Sequence, residues 1–209
     1  IILGLIAFGW VIAATGLVNV PVISRFAYEE PKPIRYVSAG TPLESYIETS
    51  LQNQIADRVR AGGGELQDMS LELVIPETSF TTSFRNALTE QSEAGMMFDM
   101  KNAQVAFDEE RKLEFFFPLK DNEQKSALRL YLVPSVQDGE LKIDATDMYL
   151  GSLRVPGPLT DLFVDQSLQN NTDTIADAIR TYVALKEIDV RDKNMLIRGD
   201  ISAEIFRLQ

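Results

Sequence analysis

Residues Ile1 to Ser24 carry no charged side chain and are mostly Ile, Leu, Val, Ala, Gly and aromatic, so a helix built from them has no polar face to offer water. At about 1.5 Å per residue, roughly 20 apolar residues cross the hydrocarbon core of a bilayer. The run reaches that length before Arg25 ends it. Gly4, Gly9 and Gly16 are compatible with a spanning helix, because lipid enforces backbone hydrogen bonding. The sequence therefore predicts a transmembrane anchor over residues 1–24. A cleaved signal peptide is the competing reading. Ala13-Ala14-Thr15-Gly16 resembles a cleavage site, but apolar residues continue through Val22 and Ile23, beyond the usual 7–15-residue apolar region of a signal. The absence of a leading Met or a basic segment suggests further chain upstream. Charge leaves sidedness open. Arg25, Lys32 and Arg35 argue for a cytoplasmic C-terminal side, whereas a large domain behind one anchor translocates largely regardless of charge.

Behind the anchor lie roughly 170–180 residues, enough for one domain with a sizeable core. The net charge of −11 and pI near 4.5 belong almost wholly to that domain. They argue against nucleic acid as a partner, since phosphate binding needs a concentrated basic face, and against lying flat on anionic lipid. The chain has no cysteine, so disulfides, thiolate catalysis and Cys-ligated metals are excluded. It has no histidine, which removes the usual general base, the Ser-His-Asp triad and most zinc or iron sites.

Glu29-Glu30-Pro31-Lys32-Pro33 is charged and proline-rich and cannot form regular helix, so residues 25–40 read as a stiff stalk. A domain spanning 41–209 follows. Thr41-Pro42-Leu43-Glu44 has the form of a capping box, with Thr41 as N-cap. Leu43, Ile47, Leu51, Ile55 and Val59 then recur every four residues on one helical stripe, which Gly62-Gly63-Gly64 ends. From Leu66 the period falls to 2, through Met69, Leu71, Leu73 and Ile75, and Pro76 stops the strand. A short helix carries Phe80, Phe84, Ala87 and Leu88. Two hairpins follow: Gln104–Phe107 with Leu113–Leu119, and Ala127–Val136 with Leu141–Leu150 around an Asp138-Gly139 turn suited to positive φ. Leu159, Leu162 and Phe163 then mark one helix, and Ile175, Ile179, Tyr182 and Val183 a second. A third hairpin, Ile188–Val190 with Met195–Phe206, closes the chain. Strand, proline, helix and hairpin recur at an offset of about 80 residues with low identity, from Leu73-Val74-Ile75-Pro76 and again from Leu153-Arg154-Val155-Pro156. The order predicts an α+β fold with a curved antiparallel sheet packed on one long and two or three shorter helices.

Chemistry-bearing motifs are few. Asp144 with Asp147 and Asp161 with Asp165 are the carboxylate pairs a glycosidase reading would need, but a polar strand face and a helix N-terminus account for them. No acidic cluster has EF-hand spacing, and no cofactor or metal is expected. Met96-Met97-Phe98 and Phe115-Phe116-Phe117 supply flexible apolar surface suited to acyl chains. In a strand Phe116 points to the opposite face from its neighbours, so something must cover it: a helix in the ordinary case, otherwise a lipid groove or a partner surface.

The strands 127–136 and 141–149, followed by Leu150-Gly151-Ser152-Leu153-Arg154-Val155-Pro156 and Leu159-Thr160-Asp161-Leu162, resemble the YpmS-like family of single-pass bacterial membrane proteins with an extracytoplasmic domain of unknown function. The terminal hairpin, Ile188-Asp189-Val190 and Met195-Leu196-Ile197, is similar to the ends of tubular lipid-binding (TULIP-like) bacterial domains. The resemblance implies a domain outside the cell membrane, with lipid tails between a long helix and a curved sheet and no catalytic residues. A groove of that kind would be lined by Ile47, Ile55, Phe115, Phe117, Leu128, Leu130, Leu132 and Ile143. The expected function is non-catalytic binding of a lipid or amphiphile. The alternative is a cell-envelope scaffold that binds a protein partner.

Overall fold

The computed structural model describes residues 2–61, 70–91, 97–167, 179–181 and 183–202. The apolar N-terminal run is not one helix. Helix α1 (Ile2–Thr15) spans 14 residues, about 21 Å, and no described helix is long and apolar enough to cross a membrane. The break lies at Thr15 and Gly16. The Thr15 hydroxyl donates to the Ile12 carbonyl at 2.6 Å and accepts the Leu17 N–H at 3.2 Å, and Gly16 turns left-handed with φ +67. Pro21, without an N–H, keeps the following residues out of a continuing helix. Only a short helix, α2 (Ser24–Ala27), forms before the chain extends.

The end of α1 is docked on the domain. The Ser152 N–H donates to the Ala14 carbonyl at 2.8 Å, the Ser126 hydroxyl to the Thr15 carbonyl at 2.5 Å, and the Asn122 amide to the Gly16 carbonyl at 3.0 Å. A Cβ on Gly151 would lie 2.4 Å from the Thr15 carbonyl oxygen, so only glycine permits this approach. The Leu150–Leu153 segment is therefore the seat of the N-terminal helix.

Residues 28–40 are extended, as their prolines require, but they do not form a free stalk. They lie along the domain, with Pro31, Pro33 and Val37 buried. The Glu29 N–H donates to the Ser152 hydroxyl at 2.8 Å, the Ile34 N–H to Glu114 at 2.7 Å, and the Val37 N–H to the Gln104 side chain at 3.1 Å. The physical reason is that extended backbone without internal hydrogen bonds takes its partners from the surface it crosses.

Helix α3 (Leu43–Arg60) follows the apolar stripe, but the capping box does not form. Pro42 is the N-cap and offers no side-chain bond. The free Leu43 N–H is taken instead by the Ser83 hydroxyl at 2.7 Å, and that hydroxyl donates to Glu44. Ser83 belongs to α4 (Glu77–Gln91), which starts directly after strand β1 (Ser70–Pro76). The remaining elements are β2 (Gln104–Phe107), β3 (Leu113–Pro118), β4 (Ala127–Gln137), β5 (Glu140–Leu150), β6 (Leu153–Arg154), α5 (Gly157–Ser167), β7 (Val183–Arg191) and β8 (Asn194–Ile201). Val183, expected on a helix, opens β7. The rest of that expected helix, apart from residues 179–181, lies outside the described residues, as do Met96 and residues 203–209.

The strands form two antiparallel sheets instead of one curved sheet: a three-stranded sheet ordered β1-β8-β7 and a five-stranded sheet ordered β2-β3-β4-β5-β6. Asp138 and Gly139 both have positive φ in the β4–β5 turn. β3 pairs with β4 only as far as Leu132. Pro134 follows, and a proline has no N–H to extend that edge. β7 packs against β4, and the sheets stay separate. The order strand, helix, hairpin does recur, as β1-α4-β2-β3 and β6-α5-β7-β8, and each opening strand lies in the sheet that holds the other unit's hairpin.

Candidate functional site

The inner face of the five-stranded sheet follows from side-chain alternation. Phe115 opposes Leu130, Phe117 opposes Leu128 and Leu113 opposes Leu132, so all six lie on one face. A bulge between Tyr131 and Leu132 then changes the parity of β5: Met148 opposes Leu130, yet Ala145 opposes Leu132, and both reach the same face. The alternation Leu141, Ile143, Ala145 thus passes into Met148, Leu150 without turning outward.

Of the eight residues expected to line a groove, Ile47, Phe115, Phe117, Leu128, Leu130 and Leu132 are buried in one core, while Ile55 and Ile143 are partly buried against it. Aromatic rings fill the buried end. Phe84 of α4 meets Phe115 edge-on at 5.0 Å and Phe117 at 5.5 Å between centroids, and Phe98 meets Phe117 at 5.8 Å. Toward the β4–β5 turn, cover thins: Val136, Leu141, Ile143 and Ala145 are only partly buried. Helix α3 shows the same gradient, from fully buried Ile47 through Ile55 to Val59, which is 65% exposed and leaves the expected stripe.

These two thinly covered surfaces lie at one end of the molecule. α3 runs beside β1, with the Tyr46 hydroxyl donating to the Val74 carbonyl and the Gln54 amide to the Glu72 carbonyl, so its later turns point toward Ser70. Ser70 opposes Asp200, which opposes Ala184. The next carbonyl, that of Leu185, lies 3.9 Å from a Cβ placed on Gly139 in the β4–β5 turn. Arg180 pairs with Glu140 there at 3.4 Å.

Phe116 is covered by the extended segment 28–37, not by a helix. It shares the outer face with Glu114, Gln104, Arg129 and Tyr131, and that segment bonds to Glu114 and Gln104 across it. A cleft of about 400 Å³ remains beside it, lined by Glu29, Glu30, Pro31, Lys32, Arg129, Tyr149 and Ser152. The Arg129 guanidinium lies over the Tyr149 ring at 5.2 Å.

The buried polar residues beneath the segment carry no motif signature. Glu114 is fully buried and accepts from the Ile34 N–H and, at 2.9 Å, from the Tyr131 hydroxyl. Burial pushes its carboxyl above the ordinary range, against the opposing pull of those two donors and of Arg129. An acid raised in the folded state binds more protons folded than unfolded, so its contribution to stability is greatest below the unfolded pKa and is lost as pH rises through the folded one. Urea titrations from pH 4 upward should therefore show Glu114→Gln gaining on the parent as pH rises; a constant difference across the series would contradict this. The one readable sign was a Glu in the apolar run Leu113–Pro118.

Asp144 is exposed, Asp147 pairs with Arg154 at 2.5 Å, and Asp161 is exposed; the Asp165 side chain lies outside the described residues. Among the described residues no group of three or more Asp or Glu side chains is placed to hold a metal ion. No family model, no curated protein and no solved structure matches this chain.

Proposed function

We propose that the chain is a non-catalytic, membrane-anchored extracytoplasmic protein that holds the tail of a lipid or other amphiphile between the later turns of α3 and the outer half of the β4–β5 hairpin. The observation that carries this reading is the gradient of cover along one continuous apolar interior. Its inner end is filled by Phe80, Phe84, Phe115 and Phe117, while Ile55, Val136, Leu141, Ile143 and Ala145 at its outer end are only partly covered. An acyl chain would remove that remaining apolar surface from water at roughly 25 cal/mol per Å². The anchor reading is supported by α1, on which Leu3, Leu5, Ile6, Phe8, Trp10 and Val11 are all exposed around the helix; a helix apolar on every side lacks a stable arrangement in water. The resemblance to single-pass envelope proteins points the same way. A second reading, an envelope scaffold without a small-molecule ligand, is favoured by the tight edge-on packing of the inner rings.

A diazirine-bearing fatty acid, photolysed in vesicles that carry the full chain, separates the two. The expected result is adducts on the α3 and β5 peptides around Ile55 and Ile143, in addition to those on α1. Ala145→Trp should abolish the β5 adducts with little change in melting temperature, because Ala145 is not fully enclosed. Adducts confined to α1 would leave the scaffold reading in place.

A further inference from the structure

Of the anchor expected over residues 1–24, the long helix α1 accounts only for residues 2–15, and the residues after it form a second apolar surface that the domain leaves exposed. Leu17, Val18, Val22 and Phe26 are all exposed, Val22 at 67% and Phe26 at 76%. Ser24 is buried and accepts the Val20 N–H at 2.9 Å, so its hydroxyl is turned inward, while Asn19 and Arg25 are exposed beside these apolar residues. The turn lies against α1 as well as the domain: the Ile23 side chain comes within 3.6 Å of a Cβ placed on Gly9. Gly9 is five residues, about 7.5 Å, beyond the docked end of the helix at Ala14.

Both ends of the turn are fixed. The Gly16 carbonyl accepts from the Asn122 amide, and the Tyr28 hydroxyl donates to the Gln124 carbonyl at 2.9 Å. Its height along α1 is therefore set by the domain. Arg25, the first charge in the chain, lines a cleft of about 450 Å³ with Asn19, Pro21, Val22, Ser24, Tyr28 and Gln124 at the base of the turn.

We propose that residues 17–26 are a second lipid-contacting element, seated beside α1 at the boundary between headgroups and acyl chains. This rests on the anchor reading of α1 and adds to it. Three features select a bilayer as the occupant: the surface is continuous with an all-round apolar helix, residues 1–24 hold no charged side chain, and Arg25, exposed at the base of the turn, offers a cation suited to lipid phosphates. A depth of a few ångströms below the headgroups is that of interfacial segments. Anchored at Ala14–Gly16 by the domain and at 17–26 by lipid, the protein is held in one orientation on the membrane, with the Gly151–Ser152 turn and residues 122–126 toward the bilayer.

The absence of cysteine allows clean single-site labelling. An environment-sensitive fluorophore is attached to Phe8→Cys, Phe26→Cys or Glu109→Cys in the full chain, reconstituted in vesicles of phosphatidylcholine and phosphatidylglycerol. The label at 26 should be shielded from iodide several-fold and quenched by lipids spin-labelled near the glycerol. The label at 8, next to the Gly9–Ile23 contact, should be quenched by lipids spin-labelled part-way down the acyl chain, and the label at 109, in the exposed β2–β3 turn, should remain open to iodide. Position 8 in lipid with position 26 in water would overturn the proposal and leave the anchor intact. Both positions in water would overturn the anchor reading and the proposal with it. Shielding at 26 that grows with protein concentration without lipid would assign the surface to a second copy of the chain and overturn the proposal.

Discussion

Ile47→Asp is expected to unfold the domain. Ile47 is fully buried on α3 and belongs to the same core as Leu73, Ile75 and Phe80. The substitution removes about 1.5–3 kcal/mol of apolar burial and places a carboxylate at a fully buried position within the hydrophobic cluster, where desolvation adds several kcal/mol. Against a stability of about 5–15 kcal/mol for a domain, the sum leaves little folded protein. Val59→Asp is the matched comparison: the same stripe and the same helix, but an exposed position, so its effect should stay within about 0.5 kcal/mol. Urea unfolding followed by circular dichroism measures both. Equal effects would mean that α3 is not a wall of the core.

Arg35→Ala should cost about 3 kcal/mol, the lower part of the range for stripping one partner from a buried pair, since the Arg35 side chain is 24% exposed. The Arg35 guanidinium donates to both oxygens of Glu77, from Nε at 2.8 Å and from Nη2 at 2.9 Å, and also to the Phe107 carbonyl. Glu77, at the start of α4, accepts in turn from the Phe107 N–H at 2.9 Å. The pair joins the extended segment 28–40 to α4 and β2, and Asp192 in the β7–β8 turn reaches Arg35 at 3.0 Å. Removing Arg35 leaves a buried carboxylate that, among the described residues, keeps the Phe107 N–H as its donor. Glu77→Gln in the Arg35→Ala background should recover part of the loss, so a double-mutant cycle should give a coupling of about 1–3 kcal/mol. Faster proteolysis between residues 28 and 40 in the single variant would show that the pair holds the segment down. Additive single effects would refute the coupling.

The sequence by itself carried what depends on near neighbours along the chain. The 3.6-residue stripe from Leu43 to Leu51, the period-2 strand Ser70–Pro76, and the three hairpins with their turns were all readable, because each element's periodicity states which face it must bury. So were the shared inner faces of β3 and β4, which follow from alternation alone. Tertiary structure decided whatever needs a partner far along the chain. Thr15 and Gly16 end α1 partly because Ser126, Asn122 and Ser152 take the freed carbonyls, and a hydropathy run contains no trace of those donors. Ser83 replaces the local cap on α3, and Pro31 and Pro33 lie on the domain because Glu114 and Gln104 wait beneath them. The covered and open ends of the apolar interior differ for the same reason. Leu130 and Ile143 look alike as inward residues of paired strands, and only the tertiary packing, which buries the first fully and the second in part, tells them apart.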